Sequence, residues 1–445
     1  MNIISFFEQS KLKPFHILLV LWLFIILMFE GYDVVIYGAT IPFLKESWGI
    51  SDMVAGSIGS YTTIGTAIGA VLFGLYSDRF GRKRIIILTT LLFSIFTMLS
   101  GFAPNAIMFT VCRVIAGFGF GGVMPNIASL ISEYAPLKYR AAIISFVFCG
   151  YSVGAMGASF MGQALLPEFG WRPVYWIGAI PLLFTPFLLK AIPESLDYLL
   201  KNKQHDRIVK VVNKIQLSTN ATFDFTYQKR GQAQKSPVSA LFTKKFAVTT
   251  IMFWLACFCT FILIYSLNTW LPTLMLQAGY NLSSSLMFVA VLQIGSIVGT
   301  LVLSNFIQKL GFKKVLIPLY LVGALSLAFI GFSTNLYVAY FLIFLIGAAT
   351  VGLQNMSNAF VAAYYPVETR SAALGSTMAF GRLGSILAPT YVAVLLTMNL
   401  QPQFNFIAIG IASVFGMITL LFVNDKHADY QTVRESEVED TKVAL

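Results

Sequence analysis

Charged residues are scarce in this chain. Asp, Glu, Lys and Arg make up 11% of its 445 residues, whereas 57% are hydrophobic. A soluble domain is about 25% charged, and a soluble chain of this length would fold into two or three domains that need polar surfaces. The shortage of charge therefore excludes an ordinary soluble protein and indicates helices that lie in a membrane.

Cysteines and catalytic motifs are also scarce. The four cysteines lie inside apolar runs, where small apolar packing explains them; they are Cys112, Cys149, Cys257 and Cys259. No zinc-ligand spacing, phosphate-binding loop or nucleophile elbow occurs. The sequence therefore predicts no disulfide framework, no metal, no cofactor and no enzyme activity.

Long apolar runs are what the chain has in abundance. Twelve of them approach the roughly 20 residues that a helix needs to cross a membrane. One long polar stretch separates the first six from the last six. The predicted organisation is a six-helix half at 1–192, a cytoplasmic linker at 193–245, a second six-helix half at 246–424 and a disordered cytoplasmic tail at 425–445. The linker is expected to hold one or two short surface helices and then a flexible part.

The basic residues are unevenly distributed between the two sides of the membrane. If the N-terminus is cytoplasmic, all but four of the 30 Lys and Arg residues fall in cytoplasmic segments. Lys45 and Arg172 fall in outer loops, and Arg113 and Arg382 fall inside spans. Because basic loops stay in the cytoplasm, we expect a multi-pass protein of the inner cell membrane with both termini cytoplasmic. The net charge of +11 then reflects topology and anionic lipid headgroups rather than nucleic-acid binding.

The two halves repeat each other with an offset of 230 residues. The matching positions include Gly65 and Gly295, Gly81 and Gly311, Lys83 and Lys313, Pro136 and Pro366, and Arg140 and Arg370. Each half has six helices, so the repeat is parallel, about an axis along the membrane normal. Two such halves can rock about a central site and expose it to each side in turn.

A basic motif follows the second apolar run. It reads Gly74-x-x-x-Asp78-Arg79-x-Gly81-Arg82-Lys83-Arg84. Here the chain resembles the major facilitator superfamily, and the twelve runs, the two halves and the middle loop extend that resemblance along the whole chain. It implies an all-α integral membrane fold, the major facilitator fold, with twelve transmembrane helices in two six-helix halves. It also implies that the motif gates the cytoplasmic side, although the cluster could serve only as a positive-inside anchor.

The predicted gate centres on Asp78. Its carboxylate can cap a neighbouring helix N-terminus or pair with a nearby Arg when the cytoplasmic side is shut. The second half has Gln308 at the matching position, so weaker gate contacts are expected there. The full predicted gating set is Gly74, Asp78, Arg79, Gly81, Arg82, Glu133 and Arg140.

Four ionisable residues lie well inside the spans. They are Glu30 and Asp33 in the first span, Arg113 in the fourth and Arg382 in the eleventh. A charge at bilayer depth costs at least a few kcal/mol, so each is a candidate functional residue. The two acids balance the two bases, which fits structural ion pairing or an arginine left for an anionic ligand.

The first span carries a more specific motif. Glu30-Gly31-Tyr32-Asp33 with Tyr37-Gly38 resembles the acid-Gly-aromatic-Asp motif of the aromatic acid:proton symporter family, with Glu30 where that family usually has Asp. Pro193-Glu194-Ser195 is shared with sugar porters as well and does not discriminate. Three further stretches resemble the symporter family: Arg113 with Gly117, Gly119 and Gly121; Ser132 to Pro136 with Arg140; and Gly381 to Gly384 with Pro389.

Polar and aromatic side chains at mid-span predict a pocket. In this superfamily helices one, four, seven and ten line the cavity, and aromatic faces with amides would suit a flat ring. Interhelical hydrogen bonding is the alternative explanation. The predicted substrate-binding residues are Arg113, Arg382, Tyr37, Tyr265, Asn268, Gln354 and Asn358.

Together these resemblances imply a proton-coupled secondary active transporter that imports a small aromatic or related organic carboxylate. One or both arginines would hold the carboxylate. Asp33, with or without Glu30, would carry the proton, because burial disfavours the charged form of a carboxyl group. The expected partners are an organic anion, protons and the lipid bilayer, with the chain acting as a monomer. The alternatives are a proton antiporter that exports drugs or other small solutes, and a non-transporting receptor of transporter fold.

Overall fold

The computed structural model describes residues 3–215, 223, 225, 238–424 and 428. Every regular element in this described part is a helix, and twelve helices are long and apolar enough to cross a membrane, as predicted. Those of the first half are α1 (Pro14–Trp48), α2 (Asp52–Phe80), α3 (Arg82–Ser100), α4 (Ala106–Tyr134), α5 (Arg140–Phe169) and α6 (Arg172–Ala191). Those of the second half are α7 (Ala247–Gln277), α8 (Leu282–Leu310), α9 (Phe312–Ile330), α10 (Leu336–Tyr364), α11 (Val367–Thr397) and α12 (Pro402–Leu421).

Local signals set the helix ends. Gly49, with φ +62°, ends α1, and the Ser51 hydroxyl accepts a hydrogen bond from the Val54 amide (3.3 Å) at the start of α2. Such caps satisfy backbone groups that have no partner inside the helix. Two spans contain an irregular turn: α6 has a 3₁₀ turn at Ile177–Ala179, and α10 has a π turn at Ala348–Gly352.

The chain divides into two compact units, Met1–Arg230 and Gly231–Leu445. The division falls inside the predicted linker. Two short helices, Leu196–Lys201 and His205–Ile215, bury apolar side chains in the core of the first unit. The turn Val238–Phe242 contributes to the core of the second. Most of the predicted flexible part of the linker, and the predicted disordered tail except Ala428, lie outside the described residues.

Glycines bring α1 and α5 into backbone contact. A Cβ atom at Gly31 would collide with the backbone of Tyr151, and one at Gly154 would collide with the backbone of Met28. Small residues of this kind let membrane helices approach closely. The contact fixes the part of α1 that carries Glu30 and Asp33.

The repeat extends to the short turns between helices. Gly81, between α2 and α3, has φ +94°, and Gly311, between α8 and α9, has φ +87°. Residues with a Cβ rarely adopt this conformation, so both turns favour glycine. Two residues later, the Lys83 ammonium donates to the Leu189 carbonyl (2.5 Å) and the Lys313 ammonium donates to the Val423 carbonyl (2.8 Å). In each half a lysine thereby caps the end of the last helix.

A pair of tyrosines repeats in the same way. The Tyr134 hydroxyl, at the end of α4, donates to the Glu194 carbonyl (2.5 Å). The Tyr364 hydroxyl, at the end of α10, donates to the Asn424 carbonyl (2.7 Å). The donors Tyr134 and Tyr364 are 230 residues apart, and so are the acceptors Glu194 and Asn424. The sequence repeat is therefore also a repeat of contacts.

Candidate functional site

A buried ion pair joins α1 to α4. The Nη1 atom of Arg113 lies 2.8 Å from Oδ1 and 2.9 Å from Oδ2 of Asp33, and its Nη2 atom lies 3.3 Å from the Asp33 carbonyl oxygen. The side chains are 1% and 2% exposed. Each charge would be costly at this depth without the other. The structure therefore joins two of the predicted site residues directly.

Tyrosines surround the guanidinium. The Cζ atom of Arg113 lies 5.8 Å from the ring centroids of both Tyr37 and Tyr175. The Tyr37 hydroxyl donates to the Ala55 carbonyl (2.5 Å), and the Tyr175 hydroxyl lies 2.7 Å from Thr40 Oγ1. The two rings are thus held in place by their hydroxyl groups, and aromatic faces stabilise a cation. The sequence analysis missed Tyr175, which lies in a short helical turn at the start of α6.

Glu30 lies one helical turn before Asp33. Its side chain is buried, and residues three apart lie on neighbouring parts of a helix surface. The carboxyl group therefore shares the buried region of Asp33.

Arg382, on α11, has a different environment. Its Nη1 atom donates to the Tyr265 hydroxyl on α7 (3.3 Å), and its Cζ atom lies 5.9 Å from the Phe261 ring centroid. The side chain is half-buried, and among the described residues no carboxylate lies within ion-pair distance of it. A guanidinium with two aromatic neighbours and no counter-charge is suited to an anionic ligand.

The predicted amides fall into two groups. Gln354 donates to Asn358 Oδ1 (2.9 Å) on α10 and lies 3.6 Å from the Cys257 sulfur on α7. A Cβ atom at Gly381 would meet that same sulfur, so this group adjoins Arg382. Asn268 instead accepts a hydrogen bond from Gln293 (3.1 Å) in a buried pair between α7 and α8. Its amide oxygen is therefore already used within the helix bundle.

A second polar network lies where the turn between α2 and α3 meets the end of α4. Arg82 forms an ion pair with Glu133 and lies 4.0 Å from Asp197. Glu133 also accepts hydrogen bonds from Ser195 Oγ (3.0 Å) and from the Leu196 amide (2.7 Å). Two of the predicted gating residues, Arg82 and Glu133, thus bind each other and the start of the linker.

Glu194 is the network residue that the sequence analysis set aside. Its carboxylate accepts hydrogen bonds from the Lys83 amide (3.0 Å) and the Ser195 amide (2.9 Å), and it packs against Gly81. Burial raises the pKa of this carboxyl, although those two amides and the charges of Arg84 and Lys83 oppose the shift. The sequence feature that indicates Glu194 is the Pro193-Glu194-Ser195 motif. Its last residue, Ser195, caps the helix Leu196–Lys201.

The remaining predicted gating residues lie apart from this network. Asp78 is exposed and has no side-chain partner among the described residues, while Arg79 lies 5.4 Å over the Phe80 ring. Gly74 has no atom near enough to meet a Cβ. Arg140 pairs instead with Glu8 (3.4 Å), in the short helix Ile3–Gln9.

Comparison with known proteins agrees with this architecture. The family model described as Major Facilitator Superfamily matches residues 23–353 and 287–444. The benzoate transport protein of Acinetobacter baylyi is 38% identical over 96% of this chain and 93% of its own length. The gentisate transporter of Corynebacterium glutamicum is 32% identical over 94% and 89%.

A solved structure shows the same fold at low identity. The xylose transporter XylE from E. coli, in a partially occluded inward-open conformation, superposes with a TM-score of 0.71 at 20% identity, covering 92% of this chain and 100% of that one. The chain belongs to the Major Facilitator Superfamily of membrane transporters.

Proposed function

We propose that the chain is a proton-coupled symporter that imports a small aromatic carboxylate across the inner cell membrane. The observation that carries the proposal is the contrast between its two intramembrane arginines. Arg113 is fully buried and neutralised by Asp33, whereas Arg382 lies beside Tyr265 and Phe261 with no carboxylate partner in the described part of the chain. The names of the benzoate and gentisate transporters, which align along nearly the whole chain, support the same class of cargo.

Arg382 is the proposed carboxylate-binding residue. A planar guanidinium can donate two parallel hydrogen bonds to a carboxylate. The rings of Tyr265 and Phe261 supply apolar faces for an aromatic ring, and the nearby amides of Gln354 and Asn358 can hydrogen-bond a ring substituent. These side chains match the chemistry of a benzoate-like anion.

Asp33 is the proposed proton carrier. A proton on Asp33 would leave the buried guanidinium of Arg113 without a counter-charge, and an unpaired buried charge is strongly unfavourable. Uptake of an anion together with the proton restores the overall charge balance. This argument favours symport of a proton with an anion over movement of either alone.

The proposed orientation places both termini in the cytoplasm, and the chain is proposed to work as a monomer. The bias of Lys and Arg supports the orientation. On this orientation the Arg82–Glu133 network lies on the cytoplasmic side, where it is proposed to hold the first half's gate closed.

Transport by the purified full-length protein in proteoliposomes tests the proposal. Labelled benzoate and hydroxybenzoates are supplied outside, with a pH indicator in the lumen. We expect saturable uptake that accelerates when the outside is acidic and acidifies the lumen beyond protein-free liposomes. Alkalinisation of the lumen during uptake would assign an antiporter, and binding without uptake would assign a receptor. Acetate serves as the non-aromatic control.

A further inference from the structure

A cavity of ≈ 510 Å³ lies in the first unit, away from the buried ion pair. It is enclosed by α3, the end of α6 and the two linker helices. Its polar wall carries Lys83, Arg84, Arg207 and Glu194, and its other wall consists of leucine, isoleucine and valine side chains. The volume falls within the range of small-molecule sites, about 300–1,000 Å³.

Two of the positive charges on the polar wall are available to a ligand, although Arg84 also interacts electrostatically with Glu194. Lys83 already donates to the Leu189 carbonyl, and Glu194 already accepts from two backbone amides. Arg84 and Arg207 are exposed, and neither has an ion-pair partner among the described residues. Two such guanidinium groups facing one cavity are suited to a phosphate, which accepts several hydrogen bonds at once.

The apolar wall includes exposed side chains of two membrane-spanning helices. Leu88 on α3 is 49% exposed and Leu189 on α6 is 51% exposed, and both line the cavity. Both residues belong to membrane-spanning helices, so their exposed surfaces are accessible to an acyl chain. An occupant that satisfies both walls needs an anionic head and an apolar chain. A free phosphate satisfies only the polar wall.

We propose that this cavity binds an anionic phospholipid, with the headgroup phosphate between Arg84 and Arg207 and one acyl chain along Leu88 and Leu189. Basic pockets between helices at the membrane surface are suited to such headgroups. The lipid would connect α3 to the linker helix His205–Ile215, because the two guanidinium groups come from these two elements. The site is separate from the proposed transport site and does not depend on it.

Native mass spectrometry of the full-length protein tests the site. The delipidated protein is titrated with dioleoylphosphatidylglycerol and, in parallel, with dioleoylphosphatidylcholine. We expect one tight phosphatidylglycerol site whose affinity falls at least tenfold in the double variant Arg84→Gln/Arg207→Gln. The control is Lys201→Gln/Lys210→Gln, which removes the same charge from exposed positions outside the cavity. We expect wild-type affinity from it.

A second variant separates the cavity from general attraction between charges. Leu91→Trp fills the cavity without changing the charge, so we expect it to weaken phosphatidylglycerol binding as well. Equal loss in the control, or equal binding of phosphatidylcholine, would overturn the proposal. So would glycerol 3-phosphate binding as tightly as the lipid, since it would assign the cavity to a soluble phosphate ester.

Discussion

The two halves of the molecule are built on the same anchors but carry different charges. In both, a lysine caps the last helix, a tyrosine binds the segment that follows it, and a glycine with positive φ forms the turn two residues before the lysine. The buried ion pair of the first half has no counterpart. At the positions equivalent to Asp33 and Arg113, the second half has Leu263 and Ile343, both buried.

The second half likewise has a charged residue that the first half lacks. The position equivalent to Arg382 in the first half is Ser152, which is buried. The Arg82–Glu133 ion pair corresponds to Phe312 and Ala363, and Phe312 stacks on Phe360 instead, with ring centroids 4.9 Å apart. The repeat thus provides a common scaffold, and the charges of the buried ion pair, of the Arg82–Glu133 pair and of Arg382 occupy positions where the halves differ.

The largest effect is expected from removing the acid of the ion pair. Asp33→Asn keeps the shape and one acceptor but cannot be ionised, so we expect accumulation under a pH gradient to be abolished. Counterflow exchange should persist, because it needs no net proton movement. Both are measured in proteoliposomes, with Glu30→Gln as the matched carboxyl control. Concentrative uptake by Asp33→Asn would remove Asp33 as the proton carrier.

Replacing the ion pair with the residues of the other half sharpens the comparison. Removing one member of a buried pair costs about 3–5 kcal/mol, whereas an apolar pair of similar volume is often neutral or stabilising. We therefore expect Asp33→Leu or Arg113→Ile alone to lower the unfolding temperature, and the double variant to recover it while remaining unable to transport. The measurement is thermal unfolding in detergent, combined with uptake. Additive loss in the double variant would contradict this.

Arg382→Lys tests the proposed carboxylate-binding residue of the second half. Lysine keeps the charge but loses the planar two-point contact with a carboxylate, so we expect the substrate KM to rise about tenfold, equivalent to about 1.4 kcal/mol. The ratio of protons to substrate should stay unchanged. Tyr265→Phe removes one hydrogen bond from the guanidinium but leaves its charge and planar donors in place, so we expect a smaller effect. A changed proton ratio with an unchanged KM would reverse the roles of the two arginines.

The smallest effect on stability is expected at Glu194, which corresponds to Asn424 in the second half. Burial raises its pKa, so the folded state binds this proton more tightly than the unfolded chain does. Its contribution to the free energy of unfolding therefore falls as pH rises from the unfolded value through the folded one. Relative to Glu194→Gln, the unfolding temperature of the native protein should fall as the pH rises above the ordinary pKa of a glutamate. A difference that does not vary with pH would contradict the shift.

The sequence predicted the helices better than it predicted their side-chain contacts. Twelve apolar runs identify the spans because a bilayer requires that length and composition. The four intramembrane charges were found because charge there is rare, but the choice between pairing and a free arginine depends on which helix faces which. Composition does not determine which helices face each other. In the structure Arg113 pairs with Asp33, whereas Arg382 lies beside the hydroxyl group of Tyr265.

The gate residues show a second reason for incomplete prediction. The motif pointed to Asp78, yet the contacts centre on Arg82, Glu133 and Glu194. Their partners lie 51 and 111 residues apart in the chain, so only the packed helices bring them together. The gating role of Asp78 stays a prediction, since its side chain has no partner among the described residues.

The π turn at Ala348–Gly352 gives α10 a mechanical property that its counterpart α4 lacks. A π turn is wider by one residue than an α-helical turn. Its conversion to α-helix would rotate the following residues by about 100° and shift them by about 1.5 Å along the axis. Gln354 lies two residues after this turn and contacts Cys257, so the rotation would carry its amide to another face of the helix. A change of helical pitch at this turn would therefore redirect the proposed binding residue Gln354 without movement of the whole helix.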